Sequence, residues 1–275
     1  MGDVGFVVDA FSRDARRSGQ AAAGEGRAEI CLMGRMSDGP TFAVVDDRER
    51  PGFFVPASER ERATAAAGEA RWHETSWRTL GGQQCLRFSW ATLRQRERAA
   101  AALAGLGIPT YEADLKPEDA WRIDRRIHTA VRLQGPWRPG RRVARVYHNP
   151  EVTADQTHPQ LALCSLDIET SVASGDVRAA ALVQRDRDAT TISREVLFVG
   201  DLAADPLIRS YPDERSLLAA LRERLIALDP DVITGWNVAE FDMAALARRF
   251  RACGLATDLG RTDEPVVVLE RARTG

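Results

Sequence analysis

"LCSLDIETS", residues 163–171, carries an apolar run that ends on two acids, Asp167 and Glu169, with one residue between them. In a β-strand, side chains two apart point to the same face. The spacing therefore sets two carboxylates side by side at the edge of a layer built from Leu163, Leu166 and Ile168. A carboxylate left unpaired in such a place costs on the order of several kcal/mol, so something positive has to face the pair. A lone Asp-x-Glu is also what a solvated strand end looks like, and the flanking sequence has to decide between the two.

Downstream, "VRAAALVQR" and "REVLFVGD" read as antiparallel neighbours of this strand. An amphipathic helix is expected over about 213–228, with Leu217, Leu221, Leu225 and Leu228 on one stripe. "DPDVITGWN" reads as a short strand running into a turn. A second helix is expected over about 238–253, with Met243, Leu246, Ala247, Phe250 and Cys253 as its apolar face and Gly254 as its stop. Strands alternating with helices signal an α/β or α+β domain. The 163–169 segment reads as its central strand, buried on both faces.

In "GWNVAEFDMAAL", residues 235–246, Asn237 and Glu240 have the spacing of a capping box. Trp236 and Phe241 read as packing residues. Asp242 falls near the helix start, where the dipole favours a carboxylate; it reads equally as a dipole complement or as a ligand. Asp167, Glu169 and Asp242 would then share one sheet edge. Three carboxylates repel one another unless cations neutralise them, and all-oxygen ligation suits magnesium or manganese. Two such ions about 3.5–4 Å apart can clamp a phosphodiester, which makes a nucleic-acid backbone the implied substrate.

Residues 1–90 have a different texture. "GFVVDAF", "AEICLMGR", "PTFAVVDD", "GFFVPA" and the alternating "QQCLRFSW" predict strands, separated by "SDGP", "RPG" and "LGGQ". Helices are expected at 91–104 and near 118–128, and a further strand at 141–148. The polar, proline-bracketed "NPEVTADQTHPQ", 149–160, is the expected boundary between a β-rich domain at 1–157 and a second domain at 158–275. Residues 121–145 hold eight arginines and one acid, interleaved with Trp121 and Trp137. That segment is a candidate nucleic-acid surface through Arg125, Arg126, Arg141 and Arg142, or else a solvated face over core tryptophans.

Composition narrows the class without naming it. The chain has 275 residues, 44% of them hydrophobic, and a formal net charge of −2, so no global charge signals nucleic acid. Lys116 is the one lysine, which leaves a nuclease of the acid-x-Lys type without its base. Cys31, Cys85, Cys164 and Cys253 have no zinc-ligand spacing and read as reduced core residues. No apolar run is long enough to span a membrane and no leader is evident, so a cytoplasmic protein is expected.

Two motifs give the reading a family. "SLDIETS" followed by "DPDVITGWNVAEFD" resembles the first and second exonuclease motifs of the family B DNA polymerases, above all their bacterial members. "GFVVDAFSRDAR", "FVPASE" and "YEADLKPED" resemble the N-terminal domain of the same proteins. The resemblance implies a β-rich N-terminal domain and a ribonuclease H-like mixed-sheet domain for proofreading in the 3′→5′ direction. By it, Asp167, Glu169 and Asp242 are catalytic metal ligands for magnesium or manganese, Glu169 also orients the attacking water, and Asn237 lies against the substrate strand. It further implies DNA with a single-stranded 3′ end or primer-template as partner, the remainder of a polymerase chain, and a sliding clamp for the parent enzyme in replication or repair of a bacterial cell. The family's third motif, Tyr-x-x-x-Asp, is not found: Tyr111, Tyr147 and Tyr211 precede Asp242, while Asp258 and Asp263 follow it without a tyrosine. The expectation is thus an exonuclease domain cut before its fourth carboxylate, or a nucleic-acid-binding fragment that keeps the fold without turnover.

Overall fold

The computed structural model describes residues 2–15, 26–185, 192–202, 205–262 and 264–266. The chain divides into two units, Met1–Pro159 and Gln160–Gly275. In chain order the first runs β1 (Asp3–Ala15), β2 (Arg27–Met36), β3 (Thr41–Asp46), β4 (Gly52–Pro56), α1 (Arg60–Ala66), β5 (Arg71–Arg78) and β6 (Gln84–Ser89). It continues with α2 (Leu93–Gly105), α3 (Pro117–Asp124), β7 (Ala130–Gln134), β8 (Trp137–Arg138), β9 (Arg145–His148) and β10 (Glu151–Asp155). The second has β11 (Leu163–Thr170), β12 (Val177–Arg185), β13 (Ile192–Val199), β14 (Ile208–Tyr211), α4 (Glu214–Leu228), β15 (Val232–Thr234) and α5 (Asp242–Ala252).

Among the described residues the first unit holds a seven-stranded sheet, ordered β10-β7-β1-β2-β3-β9-β8, and a three-stranded sheet, β4-β6-β5. Ile30, Leu32, Phe42, Val44, Trp121 and Tyr147 fill the core of the larger sheet. Phe53, Val55, Phe88 and Trp90 pack with Ala99 and Leu103 of α2 against the smaller one. Helix α2 starts as a capping box: the Gln95 N–H donates to Thr92 Oγ1 (3.1 Å), and the Thr92 N–H to Gln95 Oε1 (3.2 Å). Several elements escape the sequence pattern, two of them for a plain physical reason. Strand β5 is an edge strand exposed at nearly every position, so it has no apolar alternation to read. Strand β7 lies inside the arginine-rich segment, yet Ala130, Val131 and Leu133 are buried. Of the strand expected at 141–148, only 145–148 pairs.

The second unit is a mixed sheet, β14-β13-β12-β11-β15, with β11 between antiparallel β12 and parallel β15. Strand β13 pairs with β12 and not with β11, so only one of the two expected antiparallel neighbours touches the central strand. Strand β11 also differs from a strand buried on both faces. Cys164, Leu166 and Ile168 are buried, whereas Asp167 and Glu169, on the opposite face, are exposed. The run is continuous in letters, but Ser165, Asp167 and Glu169 make it alternate in polarity. The buried face packs on Leu217, Leu218, Leu221 and Leu225 of α4 and on Ala245, Leu246 and Phe250 of α5. Each such side chain contributes about 1.5–3 kcal/mol relative to exposure.

Caps fix both helices. The Asp213 carboxylate accepts the Ser216 N–H (2.7 Å) at the start of α4, and Asp229, in the left-handed region at φ 43°, ends it. Helix α5 ends in a Schellman turn: Gly254 takes φ 65°, and the Leu255 N–H reaches the Phe250 carbonyl at 2.8 Å. Arg249 of α5 then ties the unit together. Its Nε and Nη2 donate to Glu214 (2.8 and 2.6 Å), Nη2 also pairs with Asp176, and Glu214 accepts the Val177 N–H (2.8 Å).

Arg249 holds the Glu214 carboxyl below the usual carboxylate range. A depressed folded pKa contributes stability that is present above the unfolded pKa and lost as pH falls through the folded one. The gap in melting temperature between wild type and R249M is therefore expected to be widest near neutrality and to narrow as pH drops through the carboxylate range. Thermal scans from pH 7 to pH 3 read it, and a gap independent of pH rules out the Glu214 pairing as its source.

Candidate functional site at the end of the central strand

The parallel pairing of β15 with β11 covers Leu163 to Ser165 and stops there. The chain then turns at Gly235, passing so close to β11 that a Cβ there would lie 2.4 Å from the Leu166 carbonyl oxygen. Only glycine allows this approach. Asn237 follows in the left-handed region at φ 54°, and its carbonyl accepts the Phe241 N–H at 3.0 Å. The turn delivers Asp242 as the first residue of α5. There Asp242 is 1% exposed, and its Oδ1 accepts the Ile168 N–H at 3.0 Å. A side chain from the helix thus occupies a backbone donor of the central strand, between the two residues that carry its acids.

Asp167 and Glu169 pair across the sheet with Ala181 and Ala179 of β12, and both are exposed. Neither has a side-chain hydrogen bond or ion pair among the described residues. The positive charge expected opposite them is not supplied by an arginine. In kind, the donor set fits a hard divalent cation: three carboxylates, all oxygen, two of them without a counter-charge. In position the fit is incomplete, since among the described residues no three acidic, histidine or cysteine side chains converge to hold an ion.

The capping box expected at Asn237 and Glu240 does not form. Helix α5 begins at Asp242 rather than near 238, and its N-cap residue, Phe241, makes no side-chain cap bond. The tight passage at Gly235 and the left-handed Asn237 use up these residues as a turn. Trp236 and Phe241, expected in the core, are 94% and 50% exposed. They are the residues the sequence pattern missed: two aromatics on the turn beside the strand end, one almost fully exposed and the other half-exposed. Of the later acids, Asp258 is engaged by Arg222 (2.8 and 2.7 Å), and Asp263 lies outside the described residues.

In the first unit, Arg125 is used by the fold. Its guanidinium lies 4.1 Å from the Trp121 ring centre and pairs with Glu49. Arg126 is exposed at φ 55°, Arg141 is exposed and Arg142 half-buried. Of the two tryptophans, Trp121 is in the core, while Trp137, on edge strand β8, is 44% exposed with Arg145 at 5.3 Å from its ring centre.

The buried bond at Asp242 makes a direct prediction. In D242N the amide oxygen can still accept the Ile168 N–H, so stability should change little. D242A leaves a buried donor unpaired and should lose about 1–3 kcal/mol in denaturant unfolding. Equal losses in the two variants would contradict the hydrogen bond.

Comparison with known proteins places these features. Residues 108–272 match the family description "DNA polymerase family B, exonuclease domain". The chain is 30% identical to DNA polymerase II of Escherichia coli (strain K12) over 95% of its own length and 32% of that protein's. It is 23% identical to the putative DNA polymerase 060R of Frog virus 3 (isolate Goorha), over 86% of this chain and 27% of the viral protein. Its fold is similar to that of the family B DNA polymerase of the hyperthermophilic archaeon Pyrobaculum calidifontis, with a TM-score of 0.68, 20% identity, and coverage of 95% of this chain and 34% of that one. The chain thus spans about a third of the length of the curated relatives it matches.

Proposed function

The chain belongs to the family B DNA polymerases, with a match to their exonuclease domain, and from this premise we propose that it is the N-terminal portion of a polymerase II-like enzyme, comprising an N-terminal domain and a proofreading 3′→5′ exonuclease region. The observation that carries the reading is Asp242 seated on the Ile168 N–H, which joins the two motif segments at the strand end where Asp167 and Glu169 stand.

Asp167, Glu169 and Asp242 would hold magnesium or manganese, as a pair of ions in the full site. When bound, these ions would supply the positive charge that offsets the carboxylates and the charge developing on a scissile phosphate. The chain's own contributions follow from the geometry. Asp242, fixed by its backbone bond and packed helix, offers one oriented oxygen. Glu169, exposed and without a partner among the described residues, can orient an attacking water. Exposed Trp236 and Phe241 give stacking faces for the terminal bases, and the Asn237 amide, held by the turn, is available to the substrate strand. The DNA strand with a single-stranded 3′ end, the rest of a polymerase chain, a sliding clamp for the parent enzyme, a role in replication or repair and a bacterial cytoplasmic location all belong to this proposal. No helix of the described residues is long and apolar enough to cross a membrane.

A second reading, a nucleic-acid-binding fragment without turnover, draws on the carboxylates standing apart among the described residues. One experiment separates the two. Incubated with 5′-labelled single-stranded DNA and Mn²⁺, the chain should shorten the strand stepwise from its 3′ end. D167A should lose at least a hundredfold in rate, while W236A, altering a side chain with little packing, should raise KM about tenfold, within the ~1–3 kcal/mol of one stacked base. Binding without shortening would leave the second reading standing.

A further inference from the structure

Most of the internally placed arginines of the first unit have acceptors. Arg48 binds Asp46, Arg132 binds Asp155, and Arg96 donates to four backbone carbonyls. Arg50 departs from this pattern. Its Nε is buried without a hydrogen-bond partner, and the guanidinium has no carboxylate partner among the described residues. Arg50 and Trp121 both line one cavity, and the Trp121 Nε1 is likewise buried without a hydrogen-bond partner. Unpaired buried donors are rare in folded proteins, and two on one cavity call for a single explanation.

The surroundings are cationic. Arg87 also lines the cavity and makes no ion pair among the described residues; its guanidinium lies 5.8 Å from the Phe54 ring centre. By register, Arg71 and Arg87 share one face of the small sheet, opposite Ser89 and His73 respectively. Burial and the neighbouring charges of Arg71 and Arg27 both push the Arg50 pKa down, the signature of a cation among cations. Two acids reach the cavity, Glu49 and Asp124; Glu49 is already taken by Arg125. Gly52 lines the cavity where β4 passes close to β6: a Cβ there would sit 2.4 Å from the Phe88 carbonyl oxygen and 3.4 Å from the Arg87 Nε. The enclosed space, about 20 Å³, admits one oxygen atom, with the rest of a ligand outside it.

We propose that Arg50, Arg87 and the Trp121 indole N–H form a binding site for a phosphate group, one oxygen of which enters between Arg50 Nε and Trp121 Nε1 while Arg71 faces the outer oxygens. Tetrahedral anions with several acceptors match divergent N–H donors of this kind. The site lies wholly in the first unit and does not depend on the exonuclease reading. The phosphate can come from the free ion, from a nucleotide or from a DNA strand.

Isothermal titration calorimetry in chloride buffer at constant ionic strength tests it, with inorganic phosphate, deoxythymidine 5′-monophosphate and an oligothymidylate as separate probes. Wild type should bind at least one of them; which one identifies the source. R50Q should weaken that binding at least tenfold and W121F about threefold, while R98Q, removing an exposed arginine of α2, should leave it unchanged. A second readout separates a binding role from a structural one. Since Arg50 makes no hydrogen bond or ion pair among the described residues and is repelled by Arg71 and Arg27, R50Q should melt no lower than wild type without phosphate and lose the gain that the bound probe gives wild type. No binding of any probe, as when a single water fills the cavity, or equal binding by R50Q, overturns the site.

Discussion

The bond from the Ile168 N–H to the Asp242 carboxylate is the constraint on which the second unit's chemistry depends. A parallel strand would ordinarily take that donor, but β15 stops at Thr234, opposite Ser165. Its early end frees the backbone of the last turn of β11 for a side chain. The same event forces the chain through Gly235, against the Leu166 carbonyl, and so delivers α5 with an acid as its first residue. Position and charge are coupled here. Satisfying a buried N–H with a carboxylate brings a third negative group to a strand end that already carries two.

Holding α5 in place falls to residues well away from the acids. Arg249, seven residues along the helix, bridges Glu214 of α4 and Asp176 of the β11–β12 connection, so the strand end and the helix start are referenced to one another twice. Apolar packing of Leu246 and Phe250 against β11 sets the distance; the polar bridge sets the rotation. Asp242, buried on this packed face, sits close to two exposed acids only because that packing holds α5 there. That packing is supplied on one face of β11, which leaves the acids on the other face free to meet solvent, cations or a nucleic-acid strand.

Much of this could be read from the sequence. The leucine stripe of α4, the Gly254 stop and the short strand before the turn follow from periodicity and turn chemistry, and they appear where expected. What the letters hid was local competition. Asn237 and Glu240 have capping-box spacing, yet the close passage at Gly235 claims them for a turn, and α5 begins later. Trp236 and Phe241 look like core residues because aromatics usually are; their exposure follows from that same turn, which nothing covers among the described residues. The β11 run looked buried on both sides because its polar residues alternate with apolar ones too closely for a run of letters to separate the faces. In the first unit, an arginine-rich composition concealed the difference between Arg125, bound to Glu49, and Arg50, which has no carboxylate partner among the described residues.

The proposed role of Asp167, Glu169 and Asp242 requires that together they bind a divalent cation. Titrating Mn²⁺ into the chain, with free ion followed by electron paramagnetic resonance, tests it most directly. The account predicts saturable binding by wild type that is abolished in D167N and strongly weakened in D242N, although both variants keep the wild-type fold. Binding that is absent from wild type, or identical in all three proteins, would contradict it.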